Sequence, residues 1–372
     1  DLSWEVLCPG CRKSEVRTGS LSGLAGQAHC DYCQIQYDAE FDRSVEARFT
    51  VHPSVRKTQR NEFCAGGPAN TPHILAQVLV KPGERRSVPL HVLGAPLRVR
   101  TPQIPGSTKV RVLDMAQTDR CAVTLKDGSM QPSAADIKIG KVQFDLENQS
   151  AEERWFIIER ERWDQAVATA AQVTSLQEFR DMFSSEVLAP GEEIAVRSLT
   201  FLFTDLAGST ATYHNLGDAK AYSMVREHFV VLKEAIAKHD GAVVKTIGDA
   251  VMAVFTSPND GLMAAVDMQK GMRAWNASRN GQTPIVLKIG VHEGAAIAVN
   301  ADDILDYFGT SVNLAARVES LSAGGDIVLS ENVMQAVDDG KRIEELADRK
   351  EKLETPVKGF PQPIRAWRIW PK

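Results

Sequence analysis

The chain has 372 residues, 43 Lys+Arg against 48 Asp+Glu, and a formal net charge of −5. Hydrophobic residues at 43% and charged residues at 24% are globular proportions that exclude a disordered or fibrous chain, and the near-balanced charge speaks against a generic nucleic-acid binder. No apolar run approaches the ~20 residues of a membrane helix, and no signal-like segment opens the chain, which starts at Asp1. At roughly 150 residues per domain the expectation is a soluble, cytoplasmic protein of two or three domains.

Residues 1–45 are expected to form a zinc ribbon. Cys8-Pro9-Gly10-Cys11 is followed, after 18 residues, by Cys30-Asp31-Tyr32-Cys33. Two such knuckles each present two thiolates, and together they close a tetrahedron around Zn2+, a structural site with no open position for chemistry. A Gly-rich hairpin (Gly19, Gly23, Gly26) is expected between them, and His29 reads as an exposed residue. Four basic residues against seven acidic ones over 1–45 are the wrong sign for a surface that tracks phosphates. The ribbon therefore reads as a staple or protein-contact module.

Residues 46–160 read as a β-sandwich-like regulatory domain. Short apolar runs at Ile74–Val80, Leu97–Val99, Val110–Leu113, Val142–Leu146 and Trp155–Ile158 are expected strands. Turns are expected at Pro82-Gly83, Pro105-Gly106, Asp127-Gly128 and Glu147-Asn148. Cys64 and Cys121 read as buried thiols. Residues 46–130 carry thirteen Lys/Arg against six Asp/Glu. A solvated strand face is the preferred reading, a pocket for an acidic or phosphorylated regulator the alternative, and the regulatory ligand or partner stays unidentified.

Residues 161–194 read as a helical connector. Trp163, Val167, Ala170 and Ala171 share one helical face, and Leu176, Phe179, Met182 and Phe183 share another. Ser175 to Glu178 has the pattern of a capping box, and Ala189-Pro190-Gly191 ends the helix.

Residues 195–372 carry the chemistry. An apolar strand, Leu199 to Thr204, ends in Asp205, and Leu206-Ala207-Gly208-Ser209-Thr210 turns into a long amphipathic helix reaching about His239. Such a turn offers backbone N–H groups and a positive dipole end to a triphosphate. Val243 to Phe255 reads as two strands joined at Gly248-Asp249. If that hairpin lies beside the first strand, Asp205 and Asp249 converge on hard cations, most simply two Mg2+. In Asp306 to Arg317 a strand turns into a helix that places Asn313 and Arg317 four residues apart on one face.

These three blocks, in this order, resemble the catalytic domain of the class III adenylate/guanylate cyclases, over about residues 195–372. The region before them resembles, more loosely, that found ahead of some bacterial cyclases. The resemblance implies an α+β, ferredoxin-like domain with a mainly antiparallel sheet. It implies two metal ions, Mg2+ or Mn2+, on Asp205 and Asp249, purine reading by Lys245 and Asp306, and ribose orientation by Asn313. Arg317 would stabilise charge on the α-phosphate, Lys358 would touch the triphosphate, and Gly208, Ser209 and Thr210 would line it. The reaction implied is attack of the ribose 3′-oxygen on the α-phosphorus of ATP, giving cyclic AMP and pyrophosphate. An ammonium beside a carboxylate matches the ring-nitrogen acceptor and exocyclic amine of adenine, and guanine reverses both.

Lys245 and Asp249 stand roughly 13 Å apart along an extended strand, awkward for one chain to touch both base and metal. The family solves this with a head-to-tail dimer, so a homodimer with two shared sites is expected. Ser209 stands where many relatives have an aromatic, and Ala298 to Ile304 is more polar than in the family. His292 and Glu293 read as surface or packing residues. A guanylate cyclase, or a catalytically silent nucleotide sensor or scaffold, are the alternatives.

Overall fold

The structure, a computed structural model, describes residues 1–9, 13–31, 35–57, 73–101, 104, 107–132, 134–160, 167–208, 217–279, 284–337, 342–356, 359–360 and 362–372. Two compact units are present. One comprises Asp1–Arg17, Gln27–Tyr37 and Glu46–Ala168, the other Thr18–Gly26, Asp38–Val45 and Thr169–Lys372. No helix among the described residues is long and apolar enough to cross a membrane.

The first unit is built of strands. Ile74–Val80, Leu97–Arg100, Thr108–Leu113, Ala134–Lys138 and Arg154–Arg160 make one sheet, and Arg85–Val92, Arg120–Lys126, Ser129–Gln131 and Gly140–Asn148 make a second. Val99, Val110, Ile137 and Phe156 of the first sheet share one core with Val123, Leu125, Phe144 and Leu146 of the second. Alternate residues along each strand supply it, as the pleat requires. The five strands read from sequence are present, extended by up to two residues at an end. Four others had escaped: Arg85–Val92, Arg120–Lys126 and Ala134–Lys138 carry too many polar residues to register as apolar runs, and Ser129–Gln131 is only three residues long.

The turn expected at Glu147-Asn148 lies instead inside a strand. Asn148 is fully buried, and its Nδ2 donates to Val80 O and Glu152 O at 2.9 and 2.8 Å, satisfying backbone acceptors that the chain reversal exposes. Pro82-Gly83 and Asp127-Gly128 are turns, the latter with both residues at positive φ. Pro105-Gly106 lies outside the described residues. Much of the excess basic charge is used in ion pairs: Arg85 with Glu147, Arg111 with Asp136, and Arg98 and Arg100 with the fully buried Glu159. Cys121 is buried, which pushes its thiol up to about 11, and Cys64 lies outside the described residues. Near the amino terminus, Leu2–Leu7 and Ser14–Thr18 flank the first cysteine pair, and the paired strands Gln27–Cys30 and Ile35–Asp38 flank the second.

The second unit has, among the described residues, eight strands: β1 (Glu193–Leu206), β2 (Ala242–Ile247), β3 (Ala250–Phe255), β4 (Leu287–Ala301), β5 (Ile304–Phe308), β6 (Ile327–Ser330), β7 (Ala347–Thr355) and β8 (Ile364–Pro371). Its helices are α1 (Ala170–Thr174), α2 (Gln177–Met182), α3 (Asp218–Lys238), α4 (Pro258–Ser278), α5 (Thr310–Ser320), α6 (Glu331–Val337) and α7 (Arg342–Leu346). The sheet runs β2-β3-β1-β4-β6-β8-β7, with β5 paired to β4. The succession β1-α3-β2-β3-α4-β4, with β1 between β3 and β4 and every pair antiparallel, is the split βαβ arrangement.

Leu202, Val251, Ala253, Ile289, Val291, Ile327 and Leu329 bury one sheet face together with Leu232 and Ile236 of α3 and Leu262 and Met268 of α4. Val328, one step along β6, instead joins Val318 of α5, Ile364 and Ala366, so α5 covers the opposite face. That packing is close. A Cβ on Gly290 would stand 2.1 Å from Glu319 N, so only glycine lets α5 lie on β4 there.

The segment between the two cysteine pairs is not a glycine hairpin. Leu21–Gly23 is a single 3-10 turn whose Leu21 is fully buried, with Leu21 N donating to Glu186 Oε2 at 2.8 Å. Phe41, also fully buried, donates through its N–H to Ala195 O at 2.9 Å, beside β1.

The connector also departs from expectation. The capping box is at Thr169 and Gln172, and α2 starts after Leu176, so Ser175 Oγ donates to Gln172 O instead of capping a helix. Ala170, Ala171 and Phe179 are buried, but Met182, the last residue of α2, is exposed. Trp163 lies outside the described residues, and Val167 precedes the first helix.

Candidate active site

The hairpin β2–β3 is joined by Gly248-Asp249, with Ile247 opposite Ala250. A two-residue connection of this kind needs a left-handed residue, and Gly248 has φ 65°. β3 lies antiparallel to β1, with Thr204 opposite Val251, and the Thr204 hydroxyl accepts from Val251 N at 3.1 Å. One further step in that register brings Asp205 level with Ala250, next to the hairpin tip that carries Asp249.

The two carboxylates differ in surroundings. Asp249 Oδ2 is buried and has no hydrogen-bond partner among the described residues. Asp205 is partly exposed and faces Lys288 Nζ at 3.7 Å. A buried carboxylate oxygen lacking a donor is costly unless a cation meets it, and hard oxygen donors suit Mg2+ or Mn2+. No three His, Cys, Asp or Glu side chains cluster as a metal site among the described residues. Two carboxylates with substrate phosphates and water are the usual set for Mg2+, so these residues fit the ion.

Lys245 and Asp306 are brought together within one chain. Lys245 Nζ donates to Asp306 Oδ2 at 2.5 Å, with the carboxylate almost buried and the ammonium about a third exposed. Tyr307 N donates to the other carboxylate oxygen at 2.8 Å, which fixes the plane of the group. The β2–β3 register shifts between Val243 and Lys245, and such a bulge re-aims the side chain that follows it. β5 reaches this point through a tight turn at Asp302-Asp303, both at positive φ, with Asp303 N donating to Asn300 Oδ1. The polar stretch before Asp306 is thus a hairpin, and short acidic side chains tolerate its left-handed positions.

Three residues near the carboxylates were not read from sequence. Lys288 bridges Asp205 and Glu319 Oε1, the latter at 2.7 Å. Burial holds the Glu319 carboxyl above the usual range while Lys288 draws it down. His228 of α3 is fully buried, which lowers its pKa, with the Asp249 carboxylate acting in the opposite sense. A lone lysine in an apolar strand and a histidine inside a helix give no spacing signal, so only the fold could place them.

Asn313 and Arg317 are both exposed on α5. Neither is brought into contact with Lys245, Asp306 or the two carboxylates among the described residues. Gly208 stands in an exposed turn at φ 70°. Ser209, Thr210 and Lys358 lie outside the described residues, as do Cys11 and Cys33. Cys8 and Cys30 are buried. His292 is buried and bonded through Nδ1 to Ser330 Oγ, while Glu293 is half-buried and its Oε1 accepts from Ser198 Oγ in an exposed bond.

Residues 193–369 match the adenylate and guanylate cyclase catalytic domain family. Residues 1–65 match a family of unknown function (DUF5939). An adenylate cyclase of Anabaena cylindrica is 30% identical over 155 residues, 38% of this chain and 31% of that protein. The receptor-type guanylate cyclase gcy-8 of Caenorhabditis elegans is 28% identical over 176 residues, 44% of this chain and 15% of that protein. The chain thus spans less than a third of either relative. The crystal structure of the adenylyl cyclase CyaB from P. aeruginosa is 25% identical, covers 48% of this chain and 95% of that one, and superposes with a TM-score of 0.41. The carboxy-terminal half of the chain carries an adenylate/guanylate cyclase catalytic domain.

Proposed function

We propose that this catalytic domain, residues 195–372, is an adenylate cyclase that converts ATP to 3′,5′-cyclic AMP and pyrophosphate in a homodimer with shared sites. The observation that carries the reading is the Lys245–Asp306 pair, already assembled in the single chain. An ammonium has three donors and a carboxylate about four acceptor positions, so each keeps capacity for a base while bonded to the other. Lys245 donates to an adenine ring nitrogen, and Asp306 accepts from the exocyclic amine. Guanine would set donor against donor and acceptor against acceptor, and a buried mismatch of this kind is strongly rejected.

Asp205 and Asp249 would hold two divalent cations, Mg2+ or Mn2+, which when bound acidify the ribose 3′-hydroxyl and draw charge from the triphosphate. Lys288, beside Asp205, adds a fixed positive charge on the triphosphate side. Arg317 stabilises charge developing on the α-phosphate, Asn313 orients the ribose, and Gly208, Ser209, Thr210 and Lys358 face the phosphates. The 3′-oxygen bonds to the α-phosphorus as the bridging bond to the β-phosphate breaks, and pyrophosphate leaves. Positioning and electrostatics supply the acceleration. The outward setting of Asn313 and Arg317 supports their service to a site completed by a second copy.

The test is incubation of the chain with Mg2+ or Mn2+ and ATP or GTP. Cyclic AMP is expected, with ATP preferred, and Asp249→Ala should lower turnover at least about a hundredfold. No cyclic product at concentrations where the chain is dimeric would sink the activity, and dominant cyclic GMP would make it a guanylate cyclase. We also assign a structural Zn2+ to Cys8, Cys11, Cys30 and Cys33. Support comes from the two cysteine pairs, each flanked by a pair of short strands; elemental analysis should find zinc near one per chain, and none would remove it.

A further inference from the structure

The connector helices α1 and α2 make three contacts with the strands that carry the purine-reading pair. Arg180 of α2 donates through Nη1 to Leu305 O at 2.9 Å and through Nε to Thr174 O at 2.7 Å. Its guanidinium thus joins the end of α1 to the residue before Asp306. Thr174 Oγ1 lies 3.3 Å from the hydroxyl of Tyr307, the residue after Asp306. Because Thr174 already donates to Ala170 O at 2.7 Å, the tyrosine is the donor. Tyr307 is almost fully buried, edge-on to Phe201 of β1, with the Arg180 guanidinium 5.9 Å from its ring centroid. Asp306 is therefore held on both sides by residues that the connector grips.

Lys245 is gripped from the same helix. Gln177 Oε1 accepts from Val243 N at 2.8 Å. Gln177 Nε2 donates to Asp181 Oδ1 at 2.9 Å, which orients the amide with its oxygen toward the strand. Val243 opens the register shift that aims Lys245, and β2 is the edge strand of the sheet among the described residues, so Gln177 takes an N–H on its open side. Every contact named lies within one unit of the fold. None of them touches Asp205 or Asp249.

We propose that Thr174, Gln177 and Arg180 are positioning residues that set the alignment of Lys245 with Asp306, so that nucleobase choice is controlled from the connector. A shift of α2 moves the carbonyl before Asp306 and the amide of Val243, two residues before Lys245, together. It changes how well adenine is told from guanine while leaving the carboxylates that serve the phosphates in place. The inference rests on reading Lys245 and Asp306 as the base-selecting pair.

The test compares the parent chain with Gln177→Leu and Arg180→Met in two measurements: displacement of a fluorescent ATP analogue by ATP and by GTP, and cyclisation of each. The loss of one hydrogen bond should lower the ATP-over-GTP binding preference roughly three- to tenfold in either variant. The change should fall mainly in KM. In a Lys245→Ala background Gln177→Leu should no longer alter the preference, because the residue it acts through is gone. Equal weakening for both nucleotides, or an unchanged preference in both variants, overturns the proposal and leaves the contacts merely structural. A parent that binds ATP in preference to GTP but cyclises neither defeats the proposed activity while the preference still tests the positioning role. A parent with no preference for ATP defeats the base-selecting reading and this inference with it.

Discussion

Asp249 and His292 show what burial does to single polar residues on this sheet. Asp249 keeps a buried carboxylate oxygen without a donor among the described residues. His292, buried as a whole residue where Asp249 is only partly so, is bonded to Ser330, and burial pushes its pKa from 6.5 to about 4. Between those values the unfolded chain binds a proton that the folded one refuses. The stability held by neutral His292 is therefore complete above pH 6.5 and drains away as the pH falls toward about 4. His228, lowered by burial too, acts in the same direction. Replacing His292 by Asn should flatten the fall in unfolding free energy between pH 6.5 and 4.5, read from urea titrations, by up to about 1.4 kcal/mol per pH unit, although the variant starts lower at neutral pH. An unchanged slope would mean that His292 is already charged in the fold. At this scale the sequence offered Asp205 at a strand end and Asp249 at a turn but carried no sign of Lys288, whose partners Asp205 and Glu319 are far from it in the chain.

Among elements, the legible ones carried a local signal. Gly248-Asp249 between two apolar runs announced its hairpin, and the strand-to-helix change at Phe308 to Thr310 announced α5. Asp302-Asp303 lacked the glycine that marks such turns, so the β4–β5 hairpin stayed hidden until the pairing of Val299 with Asp306 was seen. The connector was legible as helical and misread in its caps. Ser175 has the right side chain one position too early, and a cap depends on where the first helical turn begins. What α2 does could not be read at all: its grip on Leu305, Tyr307 and Val243 joins segments more than sixty residues apart.

For the whole molecule, the residues of the proposed reaction fall into three groups. Lys245 and Asp306 meet inside a single chain, Asp205 follows Thr204 on the strand beside the hairpin that carries Asp249, and Asn313 with Arg317 are exposed. Under the proposed dimer, Asp205→Ala and Lys245→Ala chains are each inactive. Mixed, they should regain roughly a quarter of the parent activity, since half the dimers are mixed and each holds one intact site of two. No recovery when mixed dimers are shown to form would place each site within one chain. The sequence by itself determined the strands whose apolar residues alternate, the hairpin turn at Gly248-Asp249, the spacing of the paired cysteines and the strand-to-helix motif. Each of those is written in neighbours a few residues apart, where pleat, helix period and turn chemistry act. Tertiary structure alone decided that Lys245 meets Asp306, that Lys288 stands beside Asp205, and that the connector holds the strands of the base pair. Those contacts come from sheet order and register, which arise when distant apolar faces are buried together and which no short stretch of sequence encodes.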